Sequence, residues 1–495
     1  MNSQPDPTRQ GATTGLPAWV PDSVVYQIFP DRFARSAAAW SGGALEPWDD
    51  PPTFHGYKGG DLDGVIERLD WIQELGANVL YFNPIFQSAA NHRYHTHDYY
   101  QVDPLLGGNE AFRRLMAACR RRGMRVVLDG VFNHASRGFF AFHDILENGP
   151  KSPWWEWFQV HRWPMRAYGI RQARDYEAWF GLPALPRLNT DNPVVREYIM
   201  QVGEYWVRQG IDGWRLDVPT EITAEGFWEE FRTRMRRINP ECWIVGEIWD
   251  DAAAWIAAGD RFDGTMNYLF TSAVMRFLLG DRLRPRLVDG LGYSVQPALD
   301  SNGFFEAIEH LLGLYPESAH LGNMPLLGSH DTPRLRTLAN RNLALVKLAT
   351  VLLLTFPGAP SIYYGDEIGL EGRRDPDCRR GFPWGRESEW SRELLDVHRT
   401  LIALRRSTPA LRSAACRMIR TAHPDVTALV RGEGDGAVMV ALNRGQNAAS
   451  VDLKGPPDAW RLWGQGRWGR SQLKLSGRAA GIWSMAPSGA NGAGE

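Results

Sequence analysis

Cysteine is scarce in this 495-residue chain: Cys119, Cys242, Cys378 and Cys416 lie far apart and share no metal-ligand spacing. That excludes a disulfide framework and suits a reducing compartment, where each thiol is a small buried hydrophobe. Long apolar runs are missing as well. The longest, around Leu348 to Phe356, falls short of the roughly 20 residues of a membrane span and reads as a buried helix. Charge of one sign is not in excess. A formal net charge of −2 gives no general attraction to nucleic acid or to an anionic membrane. The one basic run, Arg120-Arg121-Arg122, falls late in a helical pattern, where it offsets the helix dipole. No Gly-x-Gly-x-x-Gly follows the first strand pattern, which counts against a dinucleotide-binding sheet. Residues Met1 to Pro17 are polar and lack the apolar core of a signal peptide, so the expected location is cytoplasmic.

Aromatic side chains, by contrast, are plentiful, with 21 Trp, 21 Phe and 15 Tyr. Large cores use them, and indoles in loops also serve as platforms for the flat apolar faces of sugar rings. Hydrophobic content of 44% and charged content of 23% are those of a globular protein. One unit recurs along the chain, a short apolar strand followed by an amphipathic helix. The strands fall at Val24–Phe29, Val79–Phe82, Arg125–Asp129, Gly213–Asp217, Trp243–Glu247, Gly264–Asn267, Pro325–Gly328 and Ser361–Tyr364. The first helix keeps Leu62, Val65, Ile66, Leu69, Ile72 and Leu75 on one face and stops at Gly76; later ones stop at Gly123 and Gly210. Eight such units predict an α/β fold, a closed (β/α)8 TIM barrel buried on both faces of its strands, with an open doubly wound sheet as the alternative.

Two segments break the repeat. Residues 140–192, rich in tryptophan, are too long for a loop and read as a subdomain inserted after strand three, with core packing expected for most of its indoles. From residue 409 the helical period gives way to strand patterns at Val426–Val430 and Ala437–Leu442, predicting a C-terminal antiparallel β-sandwich over 409–487. The barrel then comprises 20–139 and 193–408, with a disordered lead at 1–19 and a flexible tail at 488–495.

The chemistry lies at the strand ends. Asp129 and His134 follow strand three, Arg215 and Asp217 end strand four, Glu247 ends strand five, and Ser329, His330 and Asp331 follow strand seven. In such a barrel these ends converge on one face. Arg215 and Asp217, two apart on a strand, point the same way. Alone they read equally as a structural ion pair. Four acids, an arginine and two histidines at one mouth are costly to desolvate without a purpose. Paired carboxylates with histidine donors and aromatics point to glycosidic bond cleavage. A metal site is the competing account, resting on His92, His95 and His97. Their spacing matches no familiar ligand motif, so a solvated polar loop is expected there.

Four stretches carry a closer resemblance: Asp129-Gly130-Val131-Phe132-Asn133-His134, Gly213-Trp214-Arg215-Leu216-Asp217, Gly246-Glu247-Ile248-Trp249 and Leu327-Gly328-Ser329-His330-Asp331. In this order they resemble the signature regions of the α-amylase family (glycoside hydrolase family 13). Leu185-Pro186-Arg187-Leu188-Asn189, Met266-Asn267-Tyr268, Tyr364-Gly365-Asp366-Glu367 and Val218-Pro219-Thr220-Glu221 are similar to its neopullulanase, cyclomaltodextrinase and maltogenic amylase branch, with Thr220 where that branch has Asn.

The resemblance implies a retaining hydrolase of α-1,4-glucosidic bonds in maltooligosaccharides, with an exo-acting α-glucosidase or a transglycosylase as the alternative. It makes Asp217 the nucleophile, Glu247 the general acid/base and Asp331 the carboxylate that grips sugar hydroxyls. Arg215 is then expected to depress the Asp217 pKa, while burial and acidic neighbours raise that of Glu247. His134 and His330 match hydroxyl-binding residues, Tyr94 the aromatic stacked on the cleaved sugar, Trp249 an acceptor-side platform, and Asp375 with Arg379 a pair holding the next sugar. Asp129 is expected to support Arg215. The implied partner is the sugar substrate, with no nucleic acid or membrane and no required cofactor. A structural calcium ion is left open: Asn133 matches a family ligand, while the loop after Asp31-Arg32-Phe33 lacks an acidic run. Strand one begins near Val24, so the N-terminal β domain usual in that branch is not expected in this sequence.

Overall fold

Strands that bury nearly every side chain have no solvent face to offer, and parallel pairing between helices is the arrangement that accepts them. In the computed structural model, which describes residues 15–37, 43–453, 461–469 and 471–485, they are β1 (Val25–Ile28), β2 (Val79–Phe82), β3 (Arg125–Gly130), β4 (Gly213–Leu216), β5 (Trp243–Gly246), β6 (Gly264–Asn267), β7 (Met324–Pro325) and β8 (Ser361–Tyr363). All are paired in parallel, in the order β8-β1-β2-β3-β4-β5-β6-β7. A parallel bridge from Leu326 to Ser361 closes β7 onto β8, so the sheet is a (β/α)8 barrel and not an open one. Packing is tight enough to dictate residue type: a Cβ on Gly213 would come 2.5 Å from the Trp243 carbonyl oxygen on the neighbouring strand.

Helices deliver the chain to each strand. Gly108–Arg121 buries Phe112, Leu115, Met116 and Cys119 along one stripe. Pro193–Gln209 starts where the Asn192 side chain accepts the Val194 N–H, and it ends at Gly210 with φ 98°. Three details depart from the sequence pattern. The helix expected over Leu62 to Leu75 is two pieces, Leu62–Glu67 and Leu69–Leu75, broken at Arg68, whose guanidinium lies 4.3 Å from the Trp384 ring centroid. Strand seven ends two residues earlier than its apolar run, and the Ser329 N–H then donates to Thr332 Oγ1 in the turn that carries His330 and Asp331. The long loop after β2 holds an antiparallel ribbon, Phe86–Ser88 with Thr96–Val102.

Residues 15–19, read as part of a disordered lead, are packed. Trp19 sits edge-on to Trp243 and donates its indole N–H to the Glu241 carbonyl. The remainder of that lead, 1–14, and the tail from 486 lie outside the described residues.

Between β3 and the Pro193–Gln209 helix, the insert consists of one helix, Phe140–Asn148, short 3-10 turns and isolated bridges. One of them, His134 with Arg187, ties it to the barrel mouth. C-terminal to the last barrel helix (Arg392–Ser407), β9 (Cys416–Ile419), β10 (Val426–Arg431), β11 (Val438–Asn443), β13 (Arg461–Gly464) and β16 (Ala479–Ser484) form one antiparallel sheet; β12 (Ala449–Asp452), β14 (Arg467–Trp468) and β15 (Gln472–Leu475) form a second. Alternation sorts their faces. Val426, Ala428 and Val430 pack with Val451, Leu473 and Leu475 between the sheets, while Leu429, Val440 and Ile482 join the barrel core. No helix among the described residues is long and apolar enough to cross a membrane.

Candidate active site

Ladder register sets the first distances. Asp129 pairs with Arg215, Arg215 with Val245, and Leu216 with Gly246. Just beyond the paired residues, the Asp217 N–H donates to the Gly130 carbonyl and the Glu247 N–H to that of Leu216, so both acids leave neighbouring strands at the same height. Arg215 lies beneath them. Its Nη1 donates to Asp129 Oδ1 at 2.7 Å and to Asp217 Oδ1 at 2.9 Å, and its Nη2 is 2.8 Å from Glu247 Oε1. Glu247 Oε2 accepts the Val218 N–H at 3.1 Å, from a valine held in the left-handed region at φ 35°. A β-branched residue is rarely found there, and such strain persists where surrounding structure fixes it.

Around this pair the structure brings the remaining predicted residues to one cavity of about 680 Å3 on the C-terminal face of the barrel. Asp331 lies 3.1 Å from His330 Nε2 and accepts from Arg379 Nη2 at 3.2 Å, while Arg379 Nη1 is 3.0 Å from Asp375. Tyr94 stacks on the His330 ring at 5.4 Å and donates its hydroxyl to Asp129 Oδ2 at 2.9 Å, where Tyr81 also donates. The amide of Gln27 lies 3.1 Å from His330 Nδ1, which assigns Nδ1 as acceptor and Nε2 as donor. In His134, the Asn133 amide is 3.4 Å from Nδ1, and Nε2 is buried without a partner. Of the ten predicted residues, nine line the cavity and Arg215 supports it from below.

Burial dominates the proton affinities. It pushes Glu247 up to about 7, against the pull of Arg215 and with the added repulsion of Asp331. For Asp217 the expectation of a depressed pKa is reversed: burial raises it well above the carboxylate range, Arg215 opposing and Glu247 and Asp129 adding to the rise. One guanidinium shared among three acids offsets only part of their desolvation. Burial also raises Asp331, but His330, Arg379 and Arg215 outweigh it and hold that carboxyl below its ordinary value. Burial lowers both His134 and His330 to about 3, so each is neutral and offers one donor and one acceptor.

Other expectations change in detail. Trp249 is no free-standing platform. Its indole stacks on Tyr268 at 3.7 Å, Gly292 lies against it, and its N–H donates to Glu247 Oε1 at 3.2 Å. The loop of His92, His95 and His97 is not a solvated one. His92 and His95 stand edge to face at 4.9 Å in the cavity wall, and burial lowers His95 to about 4. Among the described residues no group of three His, Cys, Asp or Glu could hold a metal. Asn133 does have a buried side-chain oxygen without a partner, yet a hard cation takes six to eight oxygens. Nearby, the Arg187 guanidinium bridges the insert to the Glu221 carbonyl. Among the described residues no cluster of acidic side chains completes a calcium site around Asn133.

Sequence reasoning missed the insert's share of the wall: Trp179, Phe180, Leu182 and Leu185. Trp179 stacks on His134 at 5.2 Å. The available signal was an aromatic pair beside a turn glycine, Trp179-Phe180-Gly181.

Residues 27–400 match the family model described as Alpha amylase, catalytic domain. A cyclomaltodextrinase of Geobacillus thermopakistaniensis (strain MAS1) is 39% identical over 451 residues, 90% of this chain and 72% of that protein. Neopullulanase 2 of Thermoactinomyces vulgaris is 40% identical over 454 residues, 90% of this chain and 73% of that protein. Among solved structures, the debranching enzyme from Nostoc punctiforme superposes with a TM-score of 0.87 at 49% identity, covering 95% of this chain and 99% of that one. With the barrel, the carboxylate mouth and these matches in agreement, the chain belongs to the α-amylase family and is a glycoside hydrolase.

Proposed function

We propose that this enzyme hydrolyses α-1,4-glucosidic bonds of maltooligosaccharides with retention of configuration, through a covalent glucosyl ester on Asp217. The observation that carries the reading is the guanidinium of Arg215, hydrogen-bonded to Asp217 and ion-paired with Glu247, with Asp331 lining the same cavity. It sets the two carboxyls side by side, as in retaining pairs about 5–5.5 Å apart. As the bond breaks, positive charge develops at the anomeric carbon beside Asp217. That charge favours the ionised carboxylate, so the proton shared by the cluster resides on Glu247. Glu247 gives this proton to the departing oxygen while an Asp217 oxygen bonds to the anomeric carbon. Water then attacks the ester, Glu247 takes its proton, and Asp217 leaves as the carboxylate. Asp331, ionised through its cationic neighbours, accepts from sugar hydroxyls, and neutral His134 and His330 donate to them. Trp249 and the Val218 N–H orient the acid.

Asp217→Asn is expected to lower maltotriose turnover by several orders of magnitude with the fold retained by circular dichroism; near-normal turnover would overturn the assignment. Chromatography of a maltoheptaose digest separates the alternatives, since glucose alone means exo action, maltose the neopullulanase type, and products longer than the substrate mean transfer; panose released from pullulan would also mark the neopullulanase type. A second reading, action at α-1,6 branches, is favoured by the 49% identity to an enzyme titled a debranching enzyme. Release of linear chains from a branched maltooligosaccharide, faster than cleavage of its α-1,4 bonds, would establish it.

A further inference from the structure

The catalytic cavity, at about 680 Å3, has the size that encloses a drug-sized ligand, so a glucan of more than a few rings must continue outside it. The insert shapes one way out. Phe180 is 80% exposed and held at φ 49°, edge-on to Trp179 with ring centroids 4.5 Å apart. Its neighbours hold it there: the Gly181 N–H donates to the Ala178 carbonyl, the Leu182 N–H to that of Trp179, and the Trp179 N–H to that of Leu185. A phenyl ring kept in water by a strained backbone is unfavourable for the free protein, and contiguous exposed apolar surface of this kind marks a binding face.

A second observation extends the same face. The Ala173 N–H donates to the Gly181 carbonyl at 2.8 Å, which lays residues 171–174 alongside Phe180. They open onto a second surface cavity of about 880 Å3, where Arg171, Gln172 and Arg174 stand beside Ile170 and beside Asp175, which pairs with Arg162 at 3.1 Å and accepts the Arg166 N–H. Tyr168, 62% exposed with the Arg137 guanidinium 4.3 Å from its ring centroid, belongs to the same insert. Flat apolar faces alternating with planar donors complement a pyranose ring, which has an apolar face and a rim of hydroxyls. Arginines alone would suit an anion equally; the exposed rings and the continuity with the catalytic cavity favour a neutral glucan.

We propose that the insert surface from Phe180 to Arg171 and Arg174 binds the part of a glucan chain that lies outside the catalytic cavity, making this a long-chain-preferring enzyme. The inference rests on the α-glucan reading above. The test is calorimetric binding of maltotriose and of maltoheptaose to the full chain carrying Asp217→Asn, so that neither sugar is consumed. Phe180→Ala is expected to weaken maltoheptaose roughly tenfold and maltotriose much less, and Phe180→Trp to restore the difference. Arg171→Ala with Arg174→Ala should weaken maltoheptaose selectively. Equal losses for both sugars, no loss for either, or a parent protein that binds the two alike would overturn the proposal. So would a sulfated polymer binding these arginines while maltoheptaose ignores them. Failure of the parent to bind either sugar would instead refute the α-glucan reading itself.

Discussion

Replacing Glu247 by Gln removes a proton and little else, which makes it the sharpest probe of the site. The carboxyl lies within reach of Arg215, Trp249 and the Val218 N–H, and burial raises it to about 7. A general acid must be protonated to act, so wild-type activity on maltooligosaccharides should fall as pH rises through about 7, approaching tenfold per unit beyond it. Without a transferable proton, maltotriose turnover should drop by about 10²–10⁴, equivalent to roughly 3–5 kcal/mol of barrier. The alkaline limb should vanish with it. α-Maltosyl fluoride supplies the discriminating assay, because fluoride departs without protonation. The variant should release a burst of fluoride close to the enzyme concentration and then slow, since Glu247 is also the base for the water that frees Asp217. An unchanged alkaline limb in the variant, or a fluoride burst impaired as severely as maltotriose hydrolysis, would refute the reasoning.

Trp249→Phe removes the indole donor to Glu247; because that bond favours the ionised form, the alkaline limb should move up, by no more than about one pH unit, and a downward shift in the pH–rate profile would contradict it. Glu367, wholly buried with Tyr26 donating to it at 2.8 Å, is raised by burial from 4.5 to about 7. A folded pKa above the unfolded one means stability present below pH 4.5 is lost as pH rises through about 7, by about 3 kcal/mol. Glu367→Gln should flatten that decline in urea unfolding measured across the window, and an unaltered slope would exclude it. Arg431, buried, donates to the carbonyls of Thr355, Ser413 and Ala415, joining the sandwich to the barrel. Arg431→Met should cost about 2–4 kcal/mol through acceptors left unsatisfied, read as a lower urea midpoint; a stabilised variant would show that the desolvated charge dominates instead.

What could be read directly in the chain was local. β2 begins and ends where its apolar run does, because a strand buried on both faces needs only consecutive apolar residues. The acids at the C-terminal ends of β3, β4, β5 and β7 could be gathered on one rim without coordinates, since parallel barrel strands all point those ends the same way. Arg68 and the early end of β7 show where this stops. The helix breaks at Arg68, where the partner, Trp384, is distant in sequence, and the strand leaves its ladder for a turn that Thr332 closes on Ser329.

Sequence by itself therefore determined the barrel, the family and the charged residues that meet at its mouth, though not the insert's share of the wall. Only the tertiary structure decided how charge is divided among them. Whether Arg215 serves one carboxylate or three, and whether burial overrides it, depends on through-space distances and on the loss of water, neither of which spacing along a chain records. The same holds for His92 and His95, drawn from an apparently polar loop into the cavity wall, and for Phe180, whose exposure is set by backbone hydrogen bonds within the insert.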